Sequence, residues 1–568
     1  MNRRELLLGG AASLAAVESA HAFGAGRLGA GEGALGRLGG AGSAPVTRLA
    51  VRILGPGNST GAGSNTSTGA TVTSTQTFVN DSGKPISVAS IALSGWYFTS
   101  SGSAAIGNDV PTTGNIEYPI GGTKTNMLSG GSTTLVNPNG SDLITDPVPL
   151  PASIPVGASF NVNLSITIAA GLFYNVGLGL SGVLTTTTQS GLKPALFGVG
   201  DSIVLNNGDL YYTVCSGRCP VIQMSIFGTR ANAYAAGGGS GGFSRLVSLA
   251  KRLGISRFVC NWGTNDLGVS NNSAATVESN LQILRGLTNA QGILFSQATI
   301  MTQVGLASPI AITLLTSSGT TMTAVVADAT QFAVNNVYVL AGATQTEYNG
   351  TFVAQTVNTV ANTVTFIFAG SGTPTATGSP TLQAWKTTSS RAFQVPISPS
   401  FNGGASSVRA QLNALIRTPG NFDSYMEFAD FFEKTRNDGF FITSDDAPDL
   451  LAPFTVNIVS GSNIGHPHTD YVPAAGRGTT NQMSGGLLQF TSGLDIGPCR
   501  TTTANTIGVF SMTSNLPNIP AIGDTGIAVA GGSYASSDGL HPINIIGGYG
   551  GQVILQNAFG SFLTSLGV

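Results

Sequence analysis

Through the first third of the chain, apolar and polar residues alternate with a period of two. From Val46 to Gly191 short runs such as Ala70-Thr71-Val72-Thr73, Ile86-Ser87-Val88-Ala89-Ser90-Ile91 and Phe160-Asn161-Val162-Asn163-Leu164-Ser165-Ile166 are separated by Gly, Asn, Ser and Pro. Short alternating strands with frequent turns predict a β-sandwich over 46–190. The period then changes. Pro194-Ala195-Leu196-Phe197-Gly198-Val199-Gly200 reads as a fully buried strand, and Phe243 to Gly254 carries apolar residues at helical spacing with a glycine at its end. Arg257 to Trp262 is strand-like again, Thr276 to Leu287 helical, and Gly292 to Ile300 strand-like. Alternating strand and helix patterns predict a parallel sheet covered by helices.

That alternation is interrupted. From about Ala307 to Ser389 the β punctuation returns, with Val364, Phe366 and Phe368 on one face, and predicts a β subdomain inserted into the α/β domain. Glu347-Tyr348-Asn349-Gly350-Thr351-Phe352 within it resembles small β modules of phage and adhesin proteins. Helix patterns resume at Ser406 to Ile416 and near Tyr425 to Lys434, a Gly/Ser/Thr-rich stretch follows, and a helix is expected over Gly551 to Leu566. The expected organisation is therefore a leader at 1–22, a Gly/Ala-rich linker at 23–45, the β domain at 46–190, an α/β domain in two parts at 191–306 and 391–568, and the insertion at 307–390.

Composition narrows the setting. Charged residues make up 9% of the chain while 42% are apolar, so the surface is hydroxyl-bearing rather than ionic, and the apolar share argues against disorder. A net charge of −2 with no basic stripe argues against a nucleic-acid partner. Arg3-Arg4 ahead of Leu6-Leu7-Leu8, a short apolar run, and Ala20-His21-Ala22 make a charged region, a core and a small-x-small cleavage site. This resembles a twin-arginine signal, with a general secretory signal as the alternative, and the expected location is secreted or periplasmic. No later segment is apolar enough to predict a membrane span. Of four cysteines, Cys215 and Cys219 flank a tripeptide that a tight disulfide would close, Cys260 lies in an apolar run, and no spacing suggests zinc.

Candidate chemistry sits at strand ends. Gly200-Asp201-Ser202 follows a strand, where open α/β sheets place their ligands, but a serine hydroxyl is a poor nucleophile without a base. Asp538-Gly539-Leu540-His541-Pro542 supplies one: an Asp three residues before a His can orient one ring nitrogen and leave the other for the serine. Beyond His21, only His466, His468 and His541 exist. Gly263-Thr264-Asn265-Asp266 follows another strand, so an Asn amide is available to an oxyanion.

In this order the blocks resemble the SGNH (GDSL-type) hydrolase family. The resemblance covers about 192–300, 391–440 and 534–568, and implies a three-layer, flavodoxin-like α/β domain. It implies Ser202 as nucleophile, with Asp538 and His541 as its partners. The oxyanion hole would be formed by Ser202, Asn265 and a glycine of the second block. Met224 to Arg230 best fits that block and makes the glycine Gly228; one of Gly237-Gly238-Gly239 is the alternative. The implied activity is hydrolysis of carboxylic esters through an acyl-enzyme, with no metal or organic cofactor. An exported chain with a hydroxyl-rich β domain points to acylated polysaccharide, O-acetyl esters above all, with other small esters open. The rival class is a non-catalytic carbohydrate-binding or adhesion protein with a vestigial hydrolase domain.

Other motifs have blander readings. Gly57-Asn58-Ser59-Thr60-Gly61 and Gly238-Gly239-Ser240-Gly241-Gly242 match a nucleophile elbow literally but lack the strand-turn-helix setting. His466-Pro467-His468-Thr469-Asp470 reads as a loop rather than a metal site, and Trp96-Tyr97-Phe98 as core rather than a sugar-stacking platform.

Overall fold

The computed structural model describes residues 44–58, 64–206, 208–237, 242–370, 372–443, 454–462, 468–472, 486–492, 497–506, 509–512, 518, 521, 523–529, 540–542 and 551–568. The leader, most of the linker, Ser59 to Gly61, Gly238 to Gly241, His466 and Asp538 lie outside the described residues. Two compact units result: 44–300 with 411–427 and 559–568, and 301–410 with 428–558.

The first unit contains one six-stranded, wholly parallel sheet. Its strands are β1 (Arg52–Leu54), β2 (Leu196–Gly200), β3 (Val221–Ser225), β4 (Arg257–Cys260), β5 (Leu294–Ala298) and β6 (Ser424–Met426), in the order β1-β3-β2-β4-β5-β6. Strands β2, β3 and β4 are buried at every position, as strands covered on both faces must be. Phe197 of β2 stacks on Phe258 of β4 at 4.6 Å. Setting β1 aside, β2 to β6 follow the flavodoxin-like order 2-1-3-4-5, whose switch point lies between β2 and β4.

The first unit's helices are α1 (Ser202–Asn206), α2 (Leu210–Val214), α3 (Ala231–Ala235), α4 (Gly242–Arg252), α5 (Thr264–Gly268) and α6 (Ala274–Asn289), while α7 (Val408–Arg417) and α8 (Gly551–Ser565) are divided between the units. The longer ones begin and end where local chemistry requires. Ser273 caps α6, its hydroxyl accepting from the Thr276 amide, and Val277, Leu281, Leu284 and Thr288 make its buried stripe. Helix α4 closes in a Schellman turn, with Gly254 N–H on Lys251 and Ile255 N–H on Ala250. The region near Tyr425 departs from expectation: in place of one helix, residues 424–426 form the last sheet strand, and a single turn follows at Ala429–Phe432. Tyr425 and Phe428 belong to an extended edge and its exit, so helical-looking spacing there is coincidental.

Residues 46–187 otherwise form antiparallel sheets. One pairs Val46–Leu49, Leu180–Thr187, Ile86–Ser94 and Asp142–Ile144; another pairs Leu135–Asn137, Val110–Glu117, Ser159–Ile166 and Val72–Val79. Strand β1 is the exception in this region. It leaves the antiparallel sheets and extends the parallel sheet at β3, anchored by an ion pair of Arg52 with Asp81 at 2.9 Å and by a bond from Arg52 to the Tyr212 carbonyl at 2.9 Å.

The second unit holds the insertion and a further module. Residues 310–384 form a closed six-stranded barrel around Met322, Tyr338, Phe352, Val364, Phe366 and Leu382. The Gly/Ser/Thr-rich stretch, taken as part of the α/β domain, instead forms a second closed six-stranded barrel over 454–529. Numbered along each segment, both barrels have the strand order 1-2-5-4-3-6. They pack through Val337, Val353, Leu487 and Val529, and the buried Gln489 side chain accepts from the Val353 amide at 3.0 Å. No helix among the described residues is long and apolar enough to cross a membrane.

Candidate active site

The carboxyl ends of β2, β3 and β4 meet beside the switch point. Strand β2 ends at Gly200, where a Cβ would lie 2.7 Å from Val204 Cβ, 2.8 Å from Ser225 Oγ and 2.9 Å from Asn261 Oδ1. Only glycine lets the chain pass so close and still turn into α1 at Ser202. A Gly200→Ala substitution is expected to push Ser202 out of place and reduce any hydrolytic activity at least tenfold, by the general sensitivity of catalysis to ångström-scale misplacement. Parallel measurements of kcat and melting temperature would separate that effect from unfolding.

Ser202 opens α1 and is 7% exposed. Asp201, fully buried, caps this turn: its Oδ1 accepts from the Ile203 amide at 2.9 Å. The same oxygen accepts from Asn261 Nδ2 at 2.8 Å, while the Asp201 amide donates to Asn261 Oδ1 at 3.2 Å. This reciprocal pair fastens the end of β2 to the end of β4.

Asn265, one turn beyond β4, reaches the same carboxylate. Its Nδ2 lies 3.4 Å from Asp201 Oδ2 and donates to the Thr229 carbonyl at 3.1 Å. The second contact ties Asn265 to the loop after β3, where Thr229 is buried and its hydroxyl donates to the Ile226 carbonyl at 2.8 Å. Gly228 in that loop is exposed, has φ of 74° and has open space where a Cβ would point. Its neighbour Phe227 is also exposed. Asp266 completes the link, accepting from the Ala231 and Asn232 amides at 2.9 and 3.0 Å, so the β4 loop also caps α3. Burial pushes the Asp266 carboxyl above its usual range against the pull of these amides and of Arg230.

Ser202, Gly228 and Asn265 thus belong to one unit, at neighbouring strand ends. His541 belongs to the other unit, where it is half-buried beside the buried Pro542; Asp538 lies outside the described residues. Sequence reasoning missed Asp201, Asn261 and Thr229 as organisers of the edge. Asp201 stood inside the recognised block, whereas the ties of Asn261 and Thr229 exist only once the strands are adjacent.

The remaining motifs resolve simply. Trp96 and Phe98 are fully buried and Tyr97 half-buried, so the first two are core. Trp96 Nε1 donates to Asp142 at 2.8 Å. His468 starts a strand of the second barrel rather than lying in a loop. All four cysteines are thiols, with Cys215, Cys219 and Cys260 buried.

Neither a protein-family model nor a curated protein matches the chain. Among solved structures it matches acylhydrolases and esterases at low identity. A candidate acylhydrolase from Bacteroides fragilis is 19% identical over 20% of this chain and 52% of its own, with a TM-score of 0.15. A GDSL-like lipase from Bacteroides thetaiotaomicron is 18% identical over 19% and 50%, with a TM-score of 0.14. A family two carbohydrate esterase from Cellvibrio japonicus is 12% identical over 46% and 80%, with a TM-score of 0.19. The chain spans about half the length of the first two.

Proposed function

We propose that this chain is an exported serine esterase of the SGNH type, acting on O-acetyl or other acyl esters of a carbohydrate. The observation that supports the reading is that Ser202, Gly228 and Asn265 follow neighbouring strands of a sheet in flavodoxin-like order, with Asn261 and Asn265 both bonded to Asp201. His541, oriented by Asp538, takes the Ser202 proton as the hydroxyl attacks the ester carbonyl. The oxyanion is held by the Ser202 and Gly228 amides and by Asn265. The Asn265 Nδ2 contact to Asp201, at 3.4 Å the longer of its two bonds, is the one an oxyanion would replace. The alcohol leaves with the proton from His541, and water releases the acyl group by the same proton path in reverse.

The carbohydrate half of the reading rests on the hydroxyl-rich, weakly charged β regions and on the export signal. The test is treatment of the mature protein with an alkyl fluorophosphonate, followed by peptide mass mapping. A phosphonyl adduct on the Ser202 peptide, together with acetate release from an acetylated polysaccharide, is the expected result. With no adduct and no ester turnover, the reading fails. The two barrels favour one second reading, in which they bind a target and the α/β domain is vestigial; retention of the unlabelled protein on insoluble polysaccharide would support it.

A further inference from the structure

The segment after β1 enters the edge that carries the nucleophile and oxyanion loops. Strand β1 stops at Leu54, and Gly55 N–H donates to the Gln223 carbonyl at 2.8 Å. The backbone then turns away, leaving the next amide on β3, that of Ser225, without a strand partner on this side. Asn58 supplies one: its Oδ1 accepts from Ser225 N–H at 2.7 Å, so a side chain adds one rung to the ladder. Its Nδ2 donates to Asp209 Oδ1 at 3.0 Å, in the turn between α1 and α2. Gln223 Nε2 donates to the same oxygen at 2.8 Å, and Gln223 Oε1 accepts from the Tyr212 amide at 3.0 Å. Asp209 has φ of 54°, a left-handed conformation uncommon outside glycine that these bonds help to hold.

One amide therefore fastens both the strand end that leads into Gly228 and the turn that closes the Ser202 helix. The hairpin Trp96–Thr99 and Gly102–Ala105 supports the same region. It receives the Tyr234 hydroxyl, 2.6 Å from the Thr99 carbonyl, and Phe98 stacks on the Tyr234 ring at 5.5 Å. The Tyr234 ring stacks in turn on Trp262 at 4.7 Å, three residues before Asn265.

We propose that Asn58 is a positioning residue that sets the second-block loop against the Ser202 turn, so that the N-terminal β region is part of the hydrolytic apparatus. The proposal rests on the esterase reading for its catalytic consequence, though not for its structural one. An amide is suited to the place because it presents an acceptor to Ser225 N–H and a donor to Asp209 at once. Neither alanine nor aspartate does both at neutral pH.

The test compares Asn58→Ala and Asn58→Asp with the unaltered protein. In both variants kcat is expected to fall about tenfold or more with KM changed less than about twofold, because the loss lies in orientation rather than binding. For Asn58→Asp the ratio of variant to unaltered kcat should rise as pH falls. A proton taken up by the introduced carboxyl restores the donor toward Asp209, and a merely structural defect would not follow pH in this way. Amide hydrogen exchange across 224–232 and 203–212, measured on the same proteins, should accelerate in Asn58→Ala. Unchanged exchange in a folded Asn58→Ala protein overturns the proposal even where no ester is turned over, and so does a loss confined to KM. Faster exchange in Asn58→Ala, where the unaltered protein hydrolyses no ester, would keep the brace and discard the esterase reading.

Discussion

Replacing Ser202 with alanine is expected to lower hydrolysis of p-nitrophenyl acetate by roughly four to six orders of magnitude, leaving only what the oxyanion donors and binding supply. The substitution removes one oxygen from a side chain already 7% exposed and leaves the Asp201 cap and its Asn261 partner in place. Melting temperature is therefore expected to move little, while phosphonate labelling disappears. The useful comparison is kcat/KM for acetate and butyrate esters in the unaltered protein, since the acyl-length preference begins to define the pocket. A Ser202→Ala protein that kept most of its activity would remove Ser202 from the chemistry and leave the three-block alignment without its first member.

The largest expected effect on stability lies in the second unit. Arg409 and Glu433 form a two-bond ion pair, Nη2 to Oε1 at 2.6 Å and Nη1 to Oε2 at 3.1 Å, and both side chains are fully buried. Glu433 Oε1 also accepts from the Gly439 amide at 2.8 Å. Arg409→Ala would leave a buried carboxylate without its counter-charge and should cost about 3–5 kcal/mol. Burial already pushes the Glu433 carboxyl above its usual range, with Arg409 as the chief opposing influence. Without Arg409 the folded protein holds the Glu433 proton to still higher pH than the unfolded chain does. Stability then falls as pH rises between those two values, so the variant should regain part of its loss on acidification. Urea unfolding at neutral and mildly acidic pH would show it. A double substitution of the pair by apolar residues of similar volume is expected to cost far less than the single one.

Elements written in strong local patterns were legible in the chain. The buried run ending at Gly200, the capped helices α4 and α6 and the C-terminal helix stand within a few residues of where their periodicity places them, because each carries its own apolar stripe and terminators. Strand β1 was hidden because three residues resembling any β segment find their partner, Val221 to Gln223, far along the chain. The second barrel was hidden for another reason. Arg500–Thr506 is mostly Thr, Ala and Asn without alternation, and other strands, such as Leu487–Phe490 and Val509–Met512, are mostly apolar runs of four residues set among Gly, Ser and Thr. Of the candidate residues, Ser202 and Asn265 stand out in the sequence because they sit in recognisable blocks. Asn58 stood in a segment set aside as a chance glycine-serine match, and its role depends on a fold that brings it to Ser225 and Asp209.

The closure of both barrels bears on how so weakly charged a chain handles its sheet margins. A protein with 9% charged residues lacks much of the lysine and glutamate with which exposed sheet margins are usually kept from pairing with other molecules. Closure removes the margin itself: in a six-stranded ring every strand has two neighbours, and no row of backbone donors and acceptors is offered to a second copy. Opening either ring, by deleting its last strand Gly378–Ala384 or Thr525–Val529, would therefore uncover two unpaired backbone ladders beside the apolar core, and such a truncated chain is expected to associate.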